Sequence, residues 1–280
     1  MTSAPVVSVI IATFNRAAYL LTAIESMRQQ TLSDIEIIVV DDGSSDETPE
    51  FLAQISDPRV RVIRNATNQG ISHARNTGLD VAAGRYMAVL DSDDYAFPER
   101  LEKQVAFLEA NPDYAEVGSW CAWMDSNGHV RSKILDNPLT DGAIRTRLLF
   151  SCCIPHRSVT ARTDVLRACR YPTNQRVAID YEMQRRVIQH HKVANMPEIL
   201  VVGRYHDDQI TEKAQGEYPE VYREVIEKLL YDIGIIPDQR ELHRHLTLGS
   251  AVEKDKHYDK EVIDETFLNW ARDWITRLQT

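Results

Sequence analysis

Apolar residues in the first third of the chain follow two different periods. Val6 to Ala12, Ile35 to Val40 and Tyr86 to Leu90 are short apolar runs, typical of strands buried on both faces of a parallel sheet. The stretches at 17–30 and 70–83 carry apolar side chains at helical spacing. Strands that alternate with helices predict a parallel sheet with right-handed crossovers. Three more elements are predicted here: a helix from Pro49, a strand from Val60 to Ile63 and a helix from Pro98.

The middle of the chain mixes strand and helix patterns. Glu116 to Met124 predicts a strand, and the turn Ser126-Asn127-Gly128 leads to a partner strand from His129. Further elements are predicted as helices at 141–150, 163–169 and 179–191 and as strands at 158–161 and 199–205. These elements extend the same α/β domain.

The last part of the chain, after Thr211, is predicted to be helical to its end. One stripe of the final helix is apolar and aromatic, with members Ile263, Phe267, Trp270, Trp274 and Leu278. The opposite side mixes acidic and basic residues, whereas a helix on a membrane surface would be more basic. The pattern therefore favours packing on the domain, or a homodimer through these helices, over membrane contact.

Three carboxylates, Asp91, Asp93 and Asp94, directly follow the buried run that ends at Leu90. Ligands of open α/β sheets bind at the carboxyl ends of strands, and buried carboxylates are costly unless they share a cation. Oxygen ligands at this density suit Mg²⁺ or Mn²⁺ better than Zn²⁺. The alternative is a solvated turn that begins the next helix, because Asp also caps helices.

Composition narrows the choice of partners. The net charge of −10 and the pI of about 5.4 argue against nucleic-acid binding, which requires a basic surface. The four cysteines form no CxxC pair, which disfavours a zinc ribbon and favours a reducing cytoplasm. No signal pattern or 18-residue apolar run occurs, so we expect a cytoplasmic chain, at most peripheral at the inner face of a membrane. The first strand–helix turn lacks glycine, which disfavours a dinucleotide-binding domain.

Six motifs, in order, carry a family resemblance. They are VSVIIATFNR, VVDDGSSDET, GISHARNTGL, AVLDSDD, AIDYEM and RYHDDQIT. Together they resemble the family 2 inverting glycosyltransferases, which implies an α/β GT-A fold with a mostly parallel central sheet flanked by helices. The resemblance covers residues 1–210 and leaves 211–280 as a C-terminal helical extension. One departure is Ala12, where the family usually has Pro.

The resemblance implies nucleotide-binding roles at three strand or helix ends. Phe14 would lie against the base, although a core aromatic remains the alternative. Asp42 would accept a hydrogen bond from the ring N–H of uracil; its alternative role is a helix cap. Arg75 would contact the base or a phosphate; its alternative is a solvated arginine on the helix surface. The set assigned to the nucleotide is Thr13, Phe14, Asn15, Asp42, Arg75, Asp91 and Ser92.

The same resemblance implies a metal and a base. Asp93, the last residue of the DxD motif, would bind Mn²⁺ or Mg²⁺, and His206 would touch the metal or the pyrophosphate. Asp180 would take the proton of the acceptor hydroxyl as catalytic base, with Glu182 as its rival. His156 would line the acceptor side. A single displacement by the acceptor oxygen, with Asp180 taking its proton, inverts the anomeric carbon.

The resulting expectation is a metal-dependent transferase that moves a sugar from a UDP-sugar to a saccharide or glycolipid acceptor in cell-surface polysaccharide synthesis. A haloacid-dehalogenase-type phosphatase also uses a DxD motif, but near its first strand. A sugar nucleotidyltransferase needs a glycine-rich basic loop, which ATFNR is not. A binding module without activity is the non-enzyme alternative, and the carboxylates at separate strand ends argue against it.

Overall fold

The computed structural model describes residues 4–206, 209, 216–253 and 265–278. Within them, one mixed sheet of nine strands runs in the order β3-β2-β1-β4-β8-β6-β9-β5, with β7 beside β6. The strands are β1 Val7–Thr13, β2 Ile35–Asp41, β3 Val60–Arg64, β4 Tyr86–Val89, β5 Tyr95–Ala96, β6 Tyr114–Met124, β7 Val130–Leu135, β8 Thr160–Arg162 and β9 Lys192–Arg204. The helices are α1 Ala17–Arg28, α2 Thr48–Leu52, α3 Ile71–Val81, α4 Arg100–Ala110, α5 Asp141–Leu148, α6 Thr163–Cys169, α7 Ile179–Ile188, α8 Tyr218–Asp232, α9 Gln239–Glu253 and α10 Glu265–Leu278, and His156–Ser158 forms one 3₁₀ turn.

The first four strands of the sheet are parallel, as the alternation of elements predicts. Val9 of β1 lies opposite Ile37 of β2 and Ala88 of β4, and Thr13 lies opposite Asp41. Successive β1 residues point to opposite sides, so Ile10 joins one core and Val9 joins the other. This register brings the ends of β1 and β2 and the turn after β4 to one edge of the sheet.

Beyond β4, strands pair in both directions. β8 is antiparallel to β4 and β6, whereas β6 and β9 are parallel. The predicted helix to residue 191 and the strand from Ile199 were wrong in their boundaries, because α7 ends at Ile188 and β9 begins at Lys192. Pairing with β6 holds residues 192–198 extended, and the register shifts beside Pro197, which has no N–H to donate.

Helices cover both faces of the sheet. Side chains of α1, α2 and α4 pack on one face, and those of α3, α5, α6 and α7 pack on the other. The C-terminal helices extend this second core, to which Val225, Leu229, Leu246 and Trp274 contribute. The aromatic stripe of α10 is therefore packed on the domain, with Phe267 and Trp274 buried.

Two polar connections involve these helices. Arg185 of α7 contacts Asp232 of α8 and ties that helix to the domain, whereas the Trp274 indole of α10 donates to Nδ1 of His245 in α9, 2.7 Å away, and joins two of the C-terminal helices to each other. The described part of the C-terminal tail is helical as predicted, in α8, α9 and α10, whereas the predicted start at Thr211 and the stripe residue Ile263 lie outside the described residues. The division at residue 210 and the homodimer stay predictions. No helix in the described part has the length and apolarity needed to span a bilayer.

Candidate active site

The turns after β1 and β2 are joined through Asn15. Its backbone N–H donates to Ser44 Oγ at 2.9 Å, and its Oδ1 accepts from the backbone of Ser45 at 2.8 Å. Asn15 adopts φ 52°, a left-handed conformation that Asn tolerates better than most residues. Between the turns, the buried Thr13 hydroxyl has no hydrogen-bond partner among the described residues, and Phe14 is 39% exposed at the rim. Phe14 is therefore free of the core and can lie against a planar ligand.

Asp42 does not cap the helix that follows it. Its Oδ1 accepts from Asn65 at 2.7 Å, and its Oδ2 accepts from the backbone N–H groups of Gln69 and Gly70 at 3.0 and 2.7 Å. The backbone of Thr48, in the first turn of α2, is instead bonded to Asp46. The carboxylate of Asp42 thus joins the end of β2 to the turn before α3, at the ligand-binding edge of the sheet.

Arg75 is a buried helix arginine, only 5% exposed, that pairs with the DxD motif. Its guanidinium donates to Asp91 Oδ1 at 2.8 Å and lies 5.5 Å from the ring centre of Tyr171. Burial acts to raise the pKa of Asp91, but the charges of Arg75 and Arg157 outweigh it and hold that pKa below its usual value. Arg75 is therefore not a solvated surface arginine. Its guanidinium is a fixed positive charge beside the carboxylates of the site.

Asp93 and His206 meet although they lie far apart in the sequence. The distance from Asp93 Oδ2 to His206 Nε2 is 2.8 Å, and both side chains are buried. The two-residue strand β5 brings them together, because its antiparallel pairing sets Tyr95 opposite Val202 at the end of β9. Ser92, between the two DxD carboxylates, is buried as well.

The Asp93–His206 pair fits part of a divalent-metal site. Adjacent ligand atoms in an octahedral Mg²⁺ or Mn²⁺ shell lie about 2.9 Å apart, which matches the 2.8 Å separation. No group of three or more His, Cys, Asp or Glu side chains with metal-binding geometry occurs in the described part of the chain. Mg²⁺ commonly takes one or two protein ligands and fills its shell with substrate phosphates and water. The donor set therefore suits a metal that binds together with a diphosphate.

Asp94 has a different environment from its neighbours. Arg157 Nη1 contacts both of its oxygens, at 2.9 and 2.8 Å, and the backbone N–H of Arg204 donates to Oδ1 at 2.8 Å. Arg157 also lies over the ring of Trp123 and crosses β9 at Gly203, where a Cβ atom would stand 2.2 Å from Nη1. Glycine at position 203 leaves the space through which Arg157 reaches the turn. Because Asp94 is bonded to both Arg157 and Arg204, its role is to hold the turn in place.

Asp180 lies in the first turn of α7, after a strained residue. Ala178 adopts φ 51°, and its carbonyl accepts from the Gln175 side chain. The contacts of the Asp180 carboxylate are the Tyr181 backbone N–H at 3.0 Å and the Cys152 thiol at 3.9 Å. Burial raises its pKa, against the opposing charge of Arg75. A raised pKa suits a general base.

The rival base Glu182 faces the opposite direction. Its carboxylate accepts from Arg185 and Arg186 and lies 3.7 Å from Lys228 of α8. Burial acts to raise the pKa of Glu182, but these arginines outweigh it and the pKa is lowered. Its role in the structure is to connect α7 with the C-terminal helices.

His156 is a buried, neutral histidine. Its Nε2 lies 3.0 Å from the Tyr171 hydroxyl, and its Nδ1 is buried with no hydrogen-bond partner in the part of the chain that the structure describes. Burial lowers its pKa to about 3. Sequence reasoning did not assign roles to Arg157 or Arg204, although both stand beside quoted candidates in the chain, because nothing in their local pattern shows that they bind the acidic turn.

Comparisons with known proteins bear on the family and the fold. The family described as "Glycosyl transferase family 2" matches residues 8–166. An uncharacterized glycosyltransferase of Haemophilus influenzae is 34% identical over 99% of this chain and 90% of its own length. The Escherichia coli protein named UDP-Glc:alpha-D-GlcNAc-diphosphoundecaprenol beta-1,3-glucosyltransferase WfaP is 42% identical over 37% of this chain and 41% of its own. Among solved structures, S. aureus TarS 1-349 in complex with UDP-GlcNAc has a TM-score of 0.66 at 20% identity, over 87% of this chain and 71% of that one.

Proposed function

The chain belongs to glycosyl transferase family 2, and we propose that this glycosyltransferase moves a sugar from a UDP-sugar to a saccharide or glycolipid hydroxyl with inversion at the anomeric carbon. The observation that carries the proposal is the unequal pairing of the site carboxylates. Asp91 is paired with Arg75 and Asp93 with His206, whereas Asp180 forms no ion pair with any residue that the structure describes. Asp180 is therefore the carboxylate left available to take a proton.

The donor end of the site comprises Phe14, Asp42 and the DxD turn. Phe14 would stack on the uracil ring, and Asp42 would accept from the ring N–H in exchange for one of its present partners. Support for UDP comes from the donor in the name of WfaP and from UDP-GlcNAc in the TarS complex. A divalent cation held by Asp93 and His206 would act as a Lewis acid on the departing diphosphate.

Proton removal at the opposite end is assigned to Asp180. The acceptor hydroxyl must lose its proton as its oxygen bonds to the anomeric carbon, and the pair of electrons of the broken bond leaves with UDP. The other site carboxylates, Asp42, Asp91, Asp93 and Asp94, are engaged by donors or cations, so none is free to act as a nucleophile. One displacement inverts the configuration, and an α-linked donor gives a β-linked product.

The acceptor class rests on a relative alone. The acceptor in the name of WfaP is a saccharide attached to diphosphoundecaprenol. By this likeness, we assign the chain to cell-surface polysaccharide or glycoconjugate synthesis, as a cytoplasmic protein in peripheral contact with the inner face of the membrane.

A panel of nucleotide sugars tests the proposal. The protein is incubated with UDP-, GDP- and CMP-sugars and Mn²⁺, and the released nucleotide, phosphate and pyrophosphate are quantified separately. We expect UDP from at least one UDP-sugar. GDP or CMP alone would contradict the assignment to UDP. In a parallel incubation with UTP and a sugar 1-phosphate, release of phosphate from the sugar phosphate would indicate a phosphatase, and release of pyrophosphate would indicate a nucleotidyltransferase.

A further inference from the structure

Tyr19, in the first turn of α1, contacts the two charged or titratable residues at the end of β9. Its ring stacks on His206 with the ring centres 4.8 Å apart and the planes 26° from parallel. The Arg204 guanidinium lies over the same ring, 5.0 Å from its centre. One aromatic side chain therefore supports both residues that reach the acidic turn from β9.

Those two residues hold the turn at three points. His206 contacts the Asp93 carboxylate, Arg204 Nε donates to the Asp93 carbonyl at 3.0 Å, and the Arg204 N–H donates to Asp94 at 2.8 Å. The Arg204 carbonyl in turn accepts from the Gln209 side chain. His206 itself lies beyond the last residue of β9, so no strand pairing fixes its backbone.

Helix α1 is a rigid support for this contact. It follows β1 and packs Leu20, Ala23, Ile24 and Met27 into the core, so its first turn is fixed at the carboxyl edge of the sheet. Because the Tyr19 ring is held by this helix, it limits rotation of the His206 imidazole about its side-chain bonds. Stacking of the two rings and the contact of the Arg204 guanidinium with the Tyr19 ring are both attractive. Groups that orient a metal ligand from outside affect metal affinity about 10–100-fold.

We propose that Tyr19 is a positioning residue that keeps His206 in its ligand geometry beside Asp93. The inference rests on the proposed metal-dependent function and assigns to α1 a part in it. The ring of Tyr19 contacts His206 and Arg204, and in this proposal its effect reaches the reaction through these two residues. A residue that only filled space would stabilise the fold without changing how the metal promotes UDP binding.

The test uses UDP and MnCl₂ as probes. Calorimetry measures the affinity for UDP with and without Mn²⁺ in the unsubstituted protein and in Tyr19→Phe, Tyr19→Leu and Tyr19→Met. The phenylalanine variant keeps the ring, and the other two remove it with different volumes, so the test does not depend on the folding of one variant. Tyr231→Leu, at a half-exposed tyrosine of α8, is the matched control, and Asp93→Asn is the reference for loss of the metal.

We expect the Leu and Met variants to lose about tenfold or more of the Mn²⁺-dependent gain in UDP affinity, while the Phe and Tyr231 variants keep it. The affinity for UDP without metal should be the same throughout. If the gain survives in Tyr19→Leu but is lost in Asp93→Asn, Tyr19 has no positioning role and the metal proposal stands. If the unsubstituted protein shows no gain, both are overturned. Equal losses with and without Mn²⁺ would also overturn the inference, because they indicate a structural role.

Discussion

Asp93 Oδ2 lies 2.8 Å from His206 Nε2 across 113 residues of sequence. The contact depends on β5, a strand of only two residues that pairs antiparallel with β9. That pairing, together with the bonds from Arg204 to the Asp93 carbonyl and to Asp94, fixes the distance of the acidic turn from the end of β9. The geometry of the proposed metal site is thus set by tertiary pairing more than by the DxD motif itself.

Asp93→Asn should abolish Mn²⁺-dependent release of UDP, because an amide is a much weaker ligand for a hard cation than a carboxylate. The fold should persist, since the amide oxygen can still contact His206. The measurement is UDP release against Mn²⁺ concentration, with a melting curve for each variant. Asp113→Asn, at an exposed residue paired with Lys192, is the control. Full activity of Asp93→Asn in the presence of a chelator would contradict the metal role.

Asp42→Ala should weaken UDP binding by about 1.5–3 kcal/mol, the usual range for a hydrogen bond to a charged group. Asp42 also holds Asn65 and Gly70, so the substitution should lower stability too, and binding is measured by calorimetry well below the melting temperature. Asn65→Ala removes one partner of the carboxylate but leaves the carboxylate itself, and should affect UDP binding much less. Unchanged affinity in Asp42→Ala would remove this residue from the site.

Stability should fall in acid through His245. Burial lowers its pKa to about 4, whereas an unfolded histidine titrates near 6.5. Its Nδ1 accepts from Trp274 and its Nε2 donates to the Leu149 carbonyl, so the folded state needs the neutral ring. As pH falls below about 6.5 the unfolded chain takes up the proton first. The stabilisation is complete above that pH and is lost progressively toward pH 4, by up to about 3 kcal/mol.

Chemical denaturation at pH 7.0, 6.0, 5.0 and 4.5 measures this loss. His245→Asn keeps an acceptor near Trp274 and cannot titrate, so its stability should depend less steeply on pH over the same interval. Parallel pH profiles for the two proteins would show that His245 does not contribute.

The sequence predicts the first half of the fold better than the second, for physical reasons. Val9 and Ile37 lie in apolar runs that can be recognised as buried strands without knowledge of the neighbouring strands. The parallel arrangement follows from the alternation of these strands with helices. In the stretch 192–198 the polar residues Lys192, Asn195 and Glu198 interrupt the apolar ones, so no strand pattern is evident, and its strand exists because β6 lies beside it. In the site, Asp42 and Asp93 were singled out from sequence motifs. The contact of Arg157 with Asp94 could not be predicted in this way, because Arg157 passes Gly203 where a side chain would block it, and only the three-dimensional packing brings these residues together.

Asp180→Asn should keep UDP and Mn²⁺ binding but reduce the rate of transfer by about 10³-fold or more. A general base usually contributes about 10²- to 10⁴-fold to the rate. An amide cannot accept the proton, and no other carboxylate in the described site is free of a donor or cation. Glu182→Gln is the matched control in the same helix, at a carboxylate that faces Arg185 and Arg186. If Asp180→Asn transfers normally and Glu182→Gln does not, the base has been assigned to the wrong residue.

The stereochemistry of the reaction tests the proposed single displacement most directly. The protein is given an α-linked UDP-sugar that it cleaves, with water as acceptor, and the anomeric proton of the released sugar is followed by NMR before mutarotation. Attack assisted by Asp180 predicts that the β-anomer appears first. Initial release of the α-anomer would require two displacements and a nucleophile on the enzyme, and would contradict the mechanism.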